Sequence, residues 1–162
     1  MKTMIYRKLR RFIRHEKGAA LAELAILVPF LVLLVAAVAE FGRFFQKYTT
    51  IAKSTRTAAR YLSNHPFPTS QDEATNLVVC GKLTCTGNDA LVPGLSAANV
   101  CITSTGVGKI ETVTISIPRA GGGGCGAPLN YQPIFNIGAL LNTGFTFTPA
   151  IAPSTTMYYM LE

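Results

Sequence analysis

The run from Ala19 to Ala39 constrains this chain most: twenty-one residues in which Glu23 is the only charged side chain. As an α-helix rising about 1.5 Å per residue it reaches about 31 Å, the thickness of a bilayer's hydrocarbon core. The run therefore predicts a transmembrane helix over 19–40. Pro29 removes one helical N–H and crowds the carbonyl of Ala25, a defect that membrane helices absorb, so a bend is expected rather than an end. Glu23 is the anomaly, because a carboxylate in an apolar helix costs on the order of 2–3 kcal/mol on insertion scales and calls for a partner. Two readings stand: it reaches out to headgroups or to Lys17 near the interface, or it pairs with a cation on a neighbouring chain.

Charge is divided unevenly about this run. Residues 1–18 hold seven Lys or Arg against Glu16 alone, so of the net +7 only +1 belongs to the rest of the chain. The basic block reads as a cytoplasmic leader over 1–18, and the positive-inside rule then puts the C-terminal region outside the cytoplasm. A nucleic-acid partner is not expected, since the high isoelectric point describes the leader and not a folded surface.

Beyond the bilayer, Phe41, Phe44, Tyr48, Ile51, Thr55, Ala58 and Leu62 recur at steps of three and four. This seven-residue stripe predicts that the helix continues as an extramembrane stalk over 41–63. Ile51, Ala58 and Leu62 are expected against the chain's own sheet, with Phe41, Phe44, Tyr48 and Ile51 as a seam for contact with other helices. Lys47, Lys53, Arg56 and Arg60 fall outside the stripe and are expected in solvent. Asn64-His65-Pro66-Phe67-Pro68 ends the helix.

Residues 64–162 are expected to form a small β-rich domain, with strands over 76–80, 99–103, 110–117, 144–147 and 155–161 and a short helix over 133–141. The clearest strand alternates Val113, Ile115 and Ile117 with Thr112, Thr114 and Ser116. The fold class is thus α+β, a long N-terminal helix packed on a small antiparallel sheet. Cys80, Cys85, Cys101 and Cys125 all follow the apolar run. On the extracytoplasmic side an even number of cysteines fits two disulfides, with three pairings open; a zinc site is the competing reading, but the spacing lacks paired CxxC motifs. Gly121–Gly124 lacks the Lys-Ser/Thr of a phosphate-binding loop. His15 and His65 sit beside no convincing nucleophile, so neither enzymatic activity nor a cofactor is expected.

Gly18 and Glu23, followed by Leu27-Val28-Pro29, Glu40-Phe41-Gly42-Arg43 and Ala58-Ala59-Arg60-Tyr61, resemble the TadE-like family of pseudopilins, minor pilin-like proteins of the bacterial tight-adherence (Tad) pilus. The resemblance covers Lys17 to Leu62. It implies prepilin-peptidase cleavage between Gly18 and Ala19, and a role for Glu23 in assembly with the new amine of a neighbouring subunit. Leu24 departs from the aromatic residue found there in several Tad pilins. The implied partners are the membrane, the prepilin peptidase, other pilin or pseudopilin subunits and an inner-membrane assembly platform. The implied location is the bacterial inner membrane, crossed once. An alternative is release of a periplasmic binding domain by signal peptidase at Ala37-Val38-Ala39, an A-x-A pattern after an apolar stretch.

Overall fold

The computed structural model describes residues 16–87, 89–107, 109–119, 125–135 and 148–161. The chain divides into two units, Met1–Phe41 and Gly42–Glu162. A single helix, α1, Glu16–Ser63, runs through the boundary and through Pro29 without interruption.

In the first unit the helical residues are rich in Ala and Leu, strong helix formers, and their apolar side chains are exposed: Leu21 is 68% accessible, Ile26 77% and Val35 65%. Soluble monomers rarely expose so large an apolar surface. The segment is long and apolar enough to cross a membrane.

In the second unit α1 supplies one wall of the core. Ile51, Ala58, Ala59 and Leu62 are fully buried together with Val113 and Ile115 of the sheet. The apolar stripe therefore meets the chain's own domain over about three turns, each large aliphatic side chain contributing about 1.5–3 kcal/mol on burial. Thr55, also fully buried, brings its Oγ1 within 3.4 Å of Thr155 Oγ1 on the sheet. The helix stops where expected. Asn64 Nδ2 donates to Arg60 O at 3.1 Å and Asn64 N to Tyr61 O at 3.2 Å, satisfying carbonyls that the helix end leaves open.

The next element corrects the strand expected over 76–80. Those residues form the last turns of a helix, α2, Gln71–Cys80, with Asp72 and Glu73 in its first turn and Gly81 as a left-handed cap, φ 72°. Acidic residues favour a helix N-terminus and glycine its C-terminal cap. It buries Ala74 and Val78, four residues apart, and Cys80 at its end. The run Leu77-Val78-Val79-Cys80 has the composition of a buried strand, but the helical spacing of the buried positions and the terminal signals decide its conformation.

The sheet is antiparallel in the order β1-β2-β3: β1 Cys101–Thr105, β2 Thr112–Ser116 and β3 Ser154–Tyr158. The strand expected from residue 99 begins at Cys101, because Ala97–Asn99 form a 3-10 turn. Asn99 holds that turn: its Oδ1 accepts from Ser96 N and Oγ, both at 2.9 Å, and its Nδ2 donates to Ala127 O at 3.1 Å. In register, Thr105, Thr112 and Tyr158 lie abreast, as do Thr103, Thr114 and Thr156. Val113 and Ile115 face inward between these polar rows, so the alternation in β2 is the fold's division between core and surface. Gly106, φ 149°, closes the β1–β2 hairpin so tightly that a Cβ there would collide with Lys109 O.

The four cysteines form two disulfides, Cys80–Cys85 and Cys101–Cys125, with Cα separations of 6.0 and 5.2 Å. The first ties the end of α2 to the loop after it; the second fixes residue 125 to the start of β1. Most of the helix expected over 133–141, and all of the strand over 144–147, lie outside the described residues, as do Gly121–Gly124.

Candidate functional site

The residues that the sequence marks for function are carried almost entirely by α1. Gly18, Ala19 and Glu23 lie in its exposed N-terminal turns, within the first unit. Ala37-Val38-Ala39 is also helical, well inside the same element. Phe41, the last residue of that unit, is 62% accessible.

Within the second unit the proposed helix seam is partly used by the chain itself. Ile51 is fully buried in the core. Phe44 meets Tyr131 edge to face, ring centroids 5.5 Å apart at 88°, a favoured aromatic geometry. Phe45 and Tyr48 keep substantial exposure on the helix surface. Lys47, expected in solvent, is instead half-buried, with its ammonium 4.7 Å above the Tyr131 ring. A cation over an aromatic face is electrostatically attracted to it. Tyr131, itself buried, was not marked in the sequence, and no local pattern could have found it: its partners Phe44 and Lys47 come from a distant stretch. Lys53, Arg56 and Arg60 are exposed, as expected.

Clefts on this unit include two lined by described residues. One, of about 580 Å³, is lined by Lys47, Asn99, Asn130, Tyr131, Gln132 and neighbouring prolines. The other, of about 940 Å³, lies among Phe67, Ile110, Tyr158, Met160 and Leu161, with Lys109 and Glu111 at hand. Among the described residues, neither lining includes Ser, Cys or His. His65 is engaged elsewhere, stacked on Tyr61 at 3.8 Å with its Nδ1–H donating to Tyr61 O at 2.8 Å. Among the described residues no group of His, Cys, Asp or Glu is arranged to hold a metal ion. Hydrogen bonds from Lys82 and Thr86 and the charge of Lys82 hold the Asp89 carboxyl below its ordinary range. That surface pair, 3.0 Å apart, braces the loop after Cys85 rather than a reactive centre.

The arrangement therefore offers surfaces for association: an exposed apolar helix in one unit, and in the other a helix face beside a disulfide-bonded sheet. Comparison with curated proteins and with solved structures gives no match. Comparison with protein families does, and its limits fall inside α1: residues 18–60 match the model of the family described as TadE-like protein, which shows the resemblance over that segment and leaves α2 and the sheet outside it.

Proposed function

We propose that this chain is a minor pseudopilin of a Tad-type pilus, a structural and assembly component without enzymatic activity. The observation that carries this reading is the unbroken helix α1, which contains the whole family-matching segment and joins the apolar run to a packed extramembrane core. Its leader stays in the cytoplasm, residues 19–40 cross the inner membrane, and the domain of 64–162 lies outside the cytoplasm. The prepilin peptidase cuts after Gly18, exposing the α-amino group of Ala19. Glu23 then pairs with such an amine on a neighbouring pilin subunit at the assembly platform. A carboxylate left alone in hydrocarbon is costly, so the pairing favours lateral association of helices within the membrane.

Glu23→Ala is the test. Membrane insertion is expected to survive, since the substitution makes the run more apolar, while pilus output falls; wild-type output from correctly inserted E23A would reject the assembly role. The N-terminus of protein isolated from cells checks the processing step. A start at Ala19 supports it, whereas a start at Glu40 supports release of a periplasmic domain and Met1 an uncut anchor.

A further inference from the structure

Helix α1 carries a second seam. Gln46, Thr49, Lys53, Arg56 and Arg60 recur at steps of three, four, three and four, the repeat of the apolar stripe. At about 100° per residue the two stripes lie on opposite sides of the helix. The apolar side is occupied by the domain, with Ile51, Ala58 and Leu62 fully buried. On the other side Gln46, Lys53, Arg56 and Arg60 are exposed and Thr49 is half-buried. Thr49 Oγ1 donates to Gln46 O at 3.0 Å and Thr57 Oγ1 to Lys53 O at 3.1 Å, so the hydroxyls between the cations are engaged within the helix.

The charge on this seam is unanswered. From Phe41 to Gln71 there is no Asp or Glu. The salt bridge among the described residues, Lys82–Asp89, does not involve it. Two copies of the chain pairing along this face would set Lys53, Arg56 and Arg60 against the same cations, and like charges across an interface suppress association. A seven-residue repeat is the pattern by which helices pack side by side, and charges flanking or replacing its apolar positions set which partner is accepted.

We propose that the Gln46–Arg60 seam docks an acidic helix of a different polypeptide, with carboxylates at three- and four-residue spacing, and excludes a second copy of this chain. Lys53, Arg56 and Arg60 stand about 4.5 and 6 Å apart along the axis, a spacing that a helix reproduces and a flexible anionic polymer does not require. The inference rests on reading α1 as an assembly element and assigns the type of partner its extramembrane face selects.

The full chain in zwitterionic nanodiscs provides the test, with a labelled alanine-based helical peptide bearing Glu at that spacing as probe. Three exposed ion pairs together correspond to a preference on the order of tenfold. The helical peptide is expected to bind about tenfold tighter than a proline-interrupted peptide of the same length and Glu content, and to weaken between about 0.05 and 0.3 M salt. Lys53→Glu/Arg56→Glu/Arg60→Glu is expected to lose that binding and to accept the Lys version of the peptide; Lys53→Gln/Arg56→Gln/Arg60→Gln loses the first without gaining the second. Unchanged helical circular dichroism checks that both variants fold. Equal affinity for the helical and interrupted peptides, stronger binding to dextran sulfate, or homodimers cross-linked through a photoreactive residue at position 56 would each overturn the proposal. Because the peptide assay contains no pilus, its failure is separable from that of the assembly reading, which the E23A phenotype decides.

Discussion

Tyr159, just beyond β3, fastens the turn that follows α1. Its hydroxyl accepts from Phe67 N at 3.0 Å and donates to His65 O at 3.2 Å, while its own backbone N donates to Glu111 O at 2.9 Å. The next residue continues the tie, Met160 N donating to Ser63 O at 2.9 Å, at the end of α1. The turn that stops the helix is thus fastened by the segment following β3. Tyr159→Phe keeps the ring and deletes both hydroxyl contacts, leaving a partly buried N–H and C=O without that partner. A loss of about 1–2 kcal/mol is expected, because an unmet polar group costs more than a hydrogen bond contributes on average. Denaturant unfolding measures it, and an unchanged midpoint at unchanged slope would show that water replaces the hydroxyl at no cost.

Among the elements, those with long or strictly alternating patterns could be read from the sequence. Ile51, Ala58 and Leu62 repeat over several turns, and the period places them on one face, which the domain covers there although Phe41 and Tyr48 of the same stripe stay exposed. Val113 and Ile115 alternate with threonines, and the strand lies where the alternation does. Helix α2 is ten residues long, too short for its period to outweigh an apolar, β-branched run, and its signals sit at its ends in Asp72, Glu73 and Gly81. Lys47 escaped for a different reason: its partner Tyr131 is brought to it by the fold, and a helical wheel contains no such information. Cysteine number, spacing and the extracytoplasmic side favoured disulfides over zinc but left three pairings open, because the pairing depends on which ends of α2 and β1 meet which loops. That pairing orders the two bonds by effect. Cys101–Cys125 joins residues 24 apart and Cys80–Cys85 residues 5 apart. By the chain-entropy account, Cys101→Ser/Cys125→Ser should cost about 3.5 kcal/mol and Cys80→Ser/Cys85→Ser about 2 kcal/mol. Thermal unfolding of the two double variants checks the order; a greater loss for the shorter loop would mean that the bond at the end of α2 holds native packing as well as limiting the unfolded chain.

For the whole molecule, apolar contacts are divided unevenly along one chain. Among the described residues, the members of the hydrophobic core cluster, from Phe44 to Tyr159, lie within Gly42–Glu162, whereas Leu21 to Val38 of the first unit present exposed apolar side chains. Removing residues 1–41 therefore takes none of the described members of that cluster away, although it removes the buried Glu40, and both disulfides remain. A polypeptide comprising Gly42–Glu162, exported to an oxidising compartment, is expected to be soluble without detergent, to form Cys80–Cys85 and Cys101–Cys125, and to unfold cooperatively. The full chain is expected to stay with membranes through carbonate extraction, because an apolar helix of bilayer length gains more from lipid than from water. Non-reducing peptide mapping and a denaturant melt of the shorter polypeptide make the comparison. Aggregation, or a broad melt despite correct disulfides, would show that the domain requires the apolar helix for its own folding; a sharp melt would make the helix an anchor and assembly surface whose sequence can vary, within what the bilayer and neighbouring helices demand, without disturbing the core behind it.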